Sequence, residues 1–134
     1  MAAGHIRSIV FDCERPGTLA RFWASVLGYS VRPFNDEWLA ELREAGIDPA
    51  NAPSVVIDPP EGGATIWFNE VPESKATKNR VHLDVNLPDA GGIDWLVSLG
   101  AHVLRPLGAV EGEPWAIMAD PEGNEFCAFP PSGE

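Results

Sequence analysis

The chain carries one stretch twice, and that constrains its fold before anything else. Arg80–Val103 (RVHLDVNLPDAGGIDWLVSLGAHV) lies over Ser8–Val31 (SIVFDCERPGTLARFWASVLGYSV) without a gap. Identical residues stand at Asp12 and Asp84, Pro16 and Pro88, Trp23 and Trp95, Leu27 and Leu99, Gly28 and Gly100, and Val31 and Val103. Ile9/Val81 and Phe11/Leu83 are conservative matches. Over such a length, chance gives about one or two identities at ordinary residue frequencies. Self-similarity of this kind calls for two copies of one supersecondary unit.

Each copy has three parts. A short β-rich run comes first, Ile9–Cys13 or Val81–Val85. A helix follows that opens on proline, which fits a first turn because its missing N–H is not needed there. Leu-Gly then ends the helix and leads into a second β run near Val31 or Val103. In the first helix Leu19, Phe22, Trp23, Val26 and Leu27 form one apolar stripe. The second is weaker. Its stripe is Gly92, Trp95, Leu96 and Leu99, and Gly91 and Gly92 each lower helix propensity by roughly 1 kcal/mol against alanine. Trp23 and Trp95 are expected in the core.

Strand parity adds a polar row. Ile9, Phe11 and Cys13 make one face of the first strand, and Val81, Leu83 and Val85 one face of its copy. These faces are expected to carry the helices. Arg80, His82 and Asp84 then line the opposite face, pointing inward.

The remaining segments complete each half. Ser54–Ile57, the turn DPPEGG and Thr65–Asn69 form a hairpin. Trp115–Ala119, the turn DPEGN and Glu125–Phe129 repeat it, with proline fixing φ and glycine supplying φ > 0. Each half therefore reads β-α-β-β-β. The organisation expected is α+β, a single domain over 1–134, with modules at 6–70 and 80–130 and a polar linker at 71–79. Phe34–Pro53 has no counterpart in the second half. Asn35 or Asp36 caps a short helix there, with Trp38, Leu39, Leu42 and Ala45 on one side and Gly46 as its stop. It is either a packing insertion or a lid over a ligand.

Composition removes some functions. The formal net charge is −11, which argues against nucleic-acid binding and favours a neutral or cationic ligand, or simply a solvated acidic surface. No apolar run approaches the ~20 residues of a membrane span, and the first residues lack a signal-peptide core, so a cytoplasmic protein with no membrane partner is expected. Cys13 and Cys127 are the only cysteines and are expected to be reduced.

Paired βαβββ modules, the Phe-Trp…Leu-Gly helix end, the RVHLDV strand and the DPEGN-E-F hairpin resemble the vicinal oxygen chelate superfamily. That group includes glyoxalase I, extradiol dioxygenases, fosfomycin resistance proteins and bleomycin-binding proteins. The resemblance runs from about Ile6 to Phe129 and is nearest the small single-domain glyoxalase-like members. It implies strands curled into half-barrels around an internal cavity, a homodimer, and a small-molecule ligand. Its metal enzymes place His and Glu ligands at positions that fall here, by register, on Ser8, Trp67, Arg80 and Cys127. An indole and a guanidinium are not metal ligands and serine is a poor one, so no metal and no cofactor are expected. A slip of two residues would bring in His82 and Glu125 without completing a set.

The candidate ligand-binding residues are thus Trp67, Arg80, His82, Glu125 and Cys127. Arg80 suits an oxyanion and His82 a proton carrier, or both join a structural ion-pair network. Cys127 is a thiol beside them, or a buried structural cysteine. Trp38, Trp67 and Trp115 could line an aromatic cleft for a planar cation. The leading functional expectation is metal-independent small-molecule binding. The alternative is a lyase, isomerase or dioxygenase that uses a metal or His82.

Overall fold

The computed structural model describes residues 2–89 and 91–131. The chain divides into two compact units, Met1–Ser74 and Lys75–Glu134, at a boundary inside the polar connector. Each unit is a βαβββ module, and each holds its own open four-stranded mixed sheet.

In the first unit the elements are β1 (Ser8–Cys13), α1 (Pro16–Leu27), β2 (Ser30–Val31), α2 (Asp36–Glu44), a short 3-10 turn (Pro49–Asn51), β3 (Ser54–Asp58) and β4 (Thr65–Glu70). The sheet order is β1-β4-β3-β2, with β1 parallel to β4 and the other pairs antiparallel. Helix α1 starts with Pro16 and stops at Gly28, whose φ of 70° is the left-handed conformation that glycine adopts without a Cβ clash. Its stripe buries Leu19, Phe22 and Trp23 against the sheet. Phe11 meets Trp23 at 5.8 Å and Phe68 at 5.2 Å between ring centres. Ile57, Ile66 and Phe68 complete this core, so the alternate residues Val56 and Trp67 stand on the other face.

The insertion folds as its sequence indicates. The Asn35 side chain accepts the Trp38 N–H at 2.7 Å, Asp36 and Glu37 occupy the first turn, and Gly46 (φ 72°) follows the helix end. Leu42 is its buried anchor. Gly17 lets α1 approach the 3-10 turn, because a Cβ there would lie 2.9 Å from the Ala50 carbonyl oxygen.

The second unit contains β5 (Asp84–Asn86), α3 (Gly92–Ser98), β6 (His102–Arg105), β7 (Ala116–Ala119) and β8 (Glu125–Phe129). Its order, β5-β8-β7-β6 with β5 parallel to β8, repeats that of the first sheet. The β7–β8 turn is held by Asp120, which is fully buried and accepts the N–H groups of Glu122 and Asn124, both at 2.9 Å.

Two expectations are corrected in this unit. The strand expected over Val81–Val85 begins only at Asp84, since pairing with β8 starts at Asp84 opposite Cys127 and the last bond runs from the Cys127 N–H to the Leu83 carbonyl. Arg80 and His82 therefore precede the ladder instead of lying on a strand, and both are exposed. Trp95 is 42% exposed, whereas Trp23 is 1% exposed. Helix α3 is a short element that buries Gly92 and Leu96, one turn apart, and so leaves Trp95 beside the contact. Gly92 packs closely at that contact: a Cβ would lie 3.0 Å from Leu87 Cδ1.

Candidate functional site

The first unit presents a cleft of about 430 Å³ between the open face of its sheet and helix α2. Trp67 lies in register between Val10 on β1 and Val56 on β3. Trp38 comes from α2, as do Glu37 and Glu41, which are four apart and share a helix face. Ser54, Val56 and the segment Arg32–Asn35 complete the lining. The insertion thus contributes part of the wall of a concave site.

Arg32 is fixed at the edge of this cleft. Its N–H bonds the Val56 carbonyl at 2.8 Å, and its guanidinium grips Asp58 through Nε at 2.8 Å and Nη2 at 2.6 Å. This two-point hydrogen bond raises the arginine above its usual value and holds the Asp58 carboxyl below the usual carboxylate range, which Thr65 Oγ1 assists at 3.3 Å. Arg32 Cζ also lies 5.9 Å from the centre of the Trp67 ring. With Arg32 neutralised by Asp58, the lining carboxylates Glu37 and Glu41, which have no ion-pair partner among the described residues, give the cleft a negative rim. Trp67 was expected as a site residue, and Trp38 as a cleft aromatic; Arg32, Glu37 and Glu41 were not singled out. The i, i+4 acidic pair around Trp38 was the signal available.

The other candidates lie in the second unit. His82 Nε2 is 3.3 Å from Asp84 Oδ1. The imidazole, the Asp84 carboxylate and Cys127 Sγ offer ligand atoms all within 4.8 Å of one another. Burial raises the Cys127 thiol above its usual value, and the charge and hydrogen bond of Asp84 add to that; Arg105 and Lys78 pull the other way. Glu125 is engaged elsewhere: Lys75 Nζ approaches to 2.7 Å and the Asn79 N–H to 3.1 Å. Burial opposes its ionisation, yet these bonds outweigh burial and hold its carboxyl below the usual range. Glu125 thereby ties the segment after Ser74 to β8. Trp115 stacks on Phe129, ring centres 5.3 Å apart, within this unit.

The register positions implied by the superfamily's metal enzymes were Ser8, Trp67, Arg80 and Cys127. Their donor chemistry does not fit an ion, since an indole and an exposed guanidinium stand at two of them. His82, Asp84 and Cys127 do fit in type: an imidazole nitrogen, a carboxylate oxygen and a sulfur suit a borderline divalent ion such as zinc, with a further position left open.

No curated protein matches the chain. Solved structures do, across nearly its whole length. The fosfomycin resistance protein FosX from Mesorhizobium loti aligns with a TM-score of 0.63 at 13% identity, covering 99% of this chain and 95% of that one. A glyoxalase/bleomycin resistance protein/dioxygenase family enzyme from Burkholderia phytofirmans PsJN aligns at 0.62 and 16% identity, covering 93% and 97%. A glyoxalase-related enzyme from Fulvimarina pelagi aligns at 0.61 and 17%, covering 92% and 86%. At such identities these likenesses establish the fold and leave the chemistry open. A family model for the glyoxalase-like domain matches residues 8–129, so the chain belongs to the glyoxalase-like domain family.

Proposed function

We propose that this protein binds a small planar molecule of positive charge in the cleft of its first unit. The observation that carries the reading is the meeting of Trp38 and Trp67 in one concavity with Glu37 and Glu41 on its wall, while Asp58 cancels the charge of Arg32. Aromatic rings attract cations through their faces, and the carboxylates add a sign preference. The volume, about 430 Å³, is that of a site for a drug-sized molecule. A binding or sequestering role needs nothing more than these groups. The homodimer expected of single-domain members belongs to the same reading, and light scattering at micromolar concentration checks it.

The test is titration with proflavine, a planar cation, against anthracene-9-carboxylate, a planar anion, followed by dye anisotropy. Saturable binding of the cation, weakened by Trp38→Leu or Trp67→Leu, supports the reading. Equal binding of both dyes, or binding indifferent to these substitutions, overturns it.

A second reading rests on His82, Asp84 and Cys127. They suit a divalent ion, and a bound ion would add Lewis acidity toward a substrate oxygen, as a lyase, isomerase or dioxygenase requires. Metal analysis of protein purified without a histidine tag decides it. About one equivalent, lost in His82→Ala, favours the metal reading. Absence of metal after incubation with zinc, iron or manganese removes it. Cobalt(II) loading gives a second readout, a thiolate charge-transfer band that Cys127→Ser abolishes.

A further inference from the structure

We infer that Arg105 anchors an oxyanion, a carboxylate or phosphate group of a ligand, on the open face of the second sheet. This site lies in the second unit, and the cleft proposed above lies in the first.

The strand register places Arg105 there. Val103 pairs with Met118, but Arg105 pairs with Ile117, so β6 spends one extra residue at Leu104. A regular ladder would set Leu104 opposite Ile117 and turn Arg105 to the side of Ala116, which is fully buried. The bulge instead brings Arg105 into one transverse row with Ile117, Cys127 and Asp84. Bulges recur where a side chain must be re-aimed at a site. The guanidinium then lies 5.7 Å from the centre of the Trp115 ring, beside Phe129.

Its hydrogen bonding is incomplete. Glu113 takes Nη1 at 3.3 Å, while Nε and Nη2 are covered and find no acceptor among the described residues. A covered donor on a charged group normally has a partner. The first unit shows what fits. There Arg32 also lies over a tryptophan, and its Nε–Nη2 edge is filled by both oxygens of Asp58. In the second unit the same edge, over Trp115, has no carboxylate among the described residues. The Nε–Nη2 fork matches two oxygens of a carboxylate or phosphate. Because that edge is covered, the oxyanion enters by displacing its cover, and Glu113 is the nearest competitor.

Nitrogen-15 NMR of arginine Nε–H groups in the full chain tests the inference, with inorganic phosphate and benzoate as separate probes at constant ionic strength. One resonance, absent from Arg105→Lys, should move saturably with at least one probe. Benzoate moving the Trp115 indole signal as well indicates an aromatic carboxylate; a response to phosphate alone indicates a phosphate ligand. Glu113→Gln should tighten the responding probe roughly two- to fivefold, the effect of removing one neighbouring like charge. If Arg105→Lys does not fold, the same resonance is identified by its displacement in Glu113→Gln. No movement of the Arg105 resonance with either probe, or affinity unchanged in Glu113→Gln, overturns the assignment and leaves a structural ion pair. Neither result bears on proflavine binding in the first unit.

Discussion

Arg32 caps one side of the Trp67 indole at 5.9 Å while both ends of its donor fork rest on Asp58. The charge that would repel a cationic ligand is thus cancelled by its own neighbour, and the ring it touches is fixed in place. Arg105 and Trp115 repeat the arrangement in the second unit, where Nε and Nη2 find no acceptor among the described residues. The duplication has been kept as architecture, and the two arginine forks differ in what the described residues offer them.

The cleft's aromatic and acidic groups should contribute separately. Trp38→Leu or Trp67→Leu should each weaken proflavine binding roughly tenfold, the range of a cation–π contact removed from a partly desolvated site. Glu37→Gln with Glu41→Gln should weaken it a few-fold at low salt and by almost nothing at high salt, because exposed charges are screened. Dye anisotropy across a salt series separates the two effects.

Gly17 should tie the insertion to the first helix. A methyl group there meets the Ala50 carbonyl oxygen at 2.9 Å, and that backbone cannot swing aside as a side chain would. Gly17→Ala should cost about 1–3 kcal/mol, the usual penalty of overpacking. It should also weaken proflavine binding, since the 3-10 turn it displaces belongs to the same insertion as Trp38. Urea unfolding and dye titration of the same variant check both parts.

Much of this was legible in the residues. Pro16, Leu19, Trp23 and Gly28 gave the first helix and its end, and the Asp-Pro turns gave both hairpins. Asn35 marked the start of α2. The second copy was less legible, because identity with the first suggested equal structure where packing differs. Trp95 stands where Trp23 does, yet α3 buries Leu96 instead, and pairing with β8 shortens the strand so that Arg80 and His82 fall outside it. Arg105 was not singled out, because a bulge reverses strand parity and leaves no mark in an alternation count. Trp38 and Trp67 come together through a register between β3 and β4 and the placement of a helix, which spacing alone does not give.

Glu125 should make the second unit sensitive to acid. Its carboxyl lies below the usual range through Lys75 and the Asn79 N–H, so its stabilising contribution is present above the usual glutamate value and is lost as pH falls through the lowered one. Glu125→Gln should lower stability by about 1 kcal/mol at pH 7, the scale of one partly buried charged hydrogen bond. The difference from the parent chain should shrink steadily as pH falls through the lowered Glu125 value and then vanish. Urea unfolding at a series of pH values gives the curve; a difference that persists in acid would assign the effect to packing.

Asp120 should be the least replaceable polar residue of the β7–β8 hairpin. It is fully buried, and Oδ1 alone receives the N–H groups of Glu122 and Asn124. The Asn124 side-chain amide adds bonds of 3.1 and 2.9 Å to its two oxygens. Asp120→Ala leaves these donors facing a void, and the expected loss is about 3 kcal/mol, one to two unmade bonds to a charged acceptor plus the cavity. Asp120→Asn keeps one acceptor oxygen but turns an amide toward the amide of Asn124, so an intermediate loss of about 1–2 kcal/mol is expected. The hairpin sets the pairing of Ala119 with Glu125 and, two residues further, of Ile117 with Cys127. Chemical denaturation ranks the three proteins, and the alkylation rate of Cys127 in native buffer reports whether β8 has shifted. If Asp120→Ala unfolds at the parent's urea midpoint, the turn is held by its backbone alone and the carboxylate is incidental.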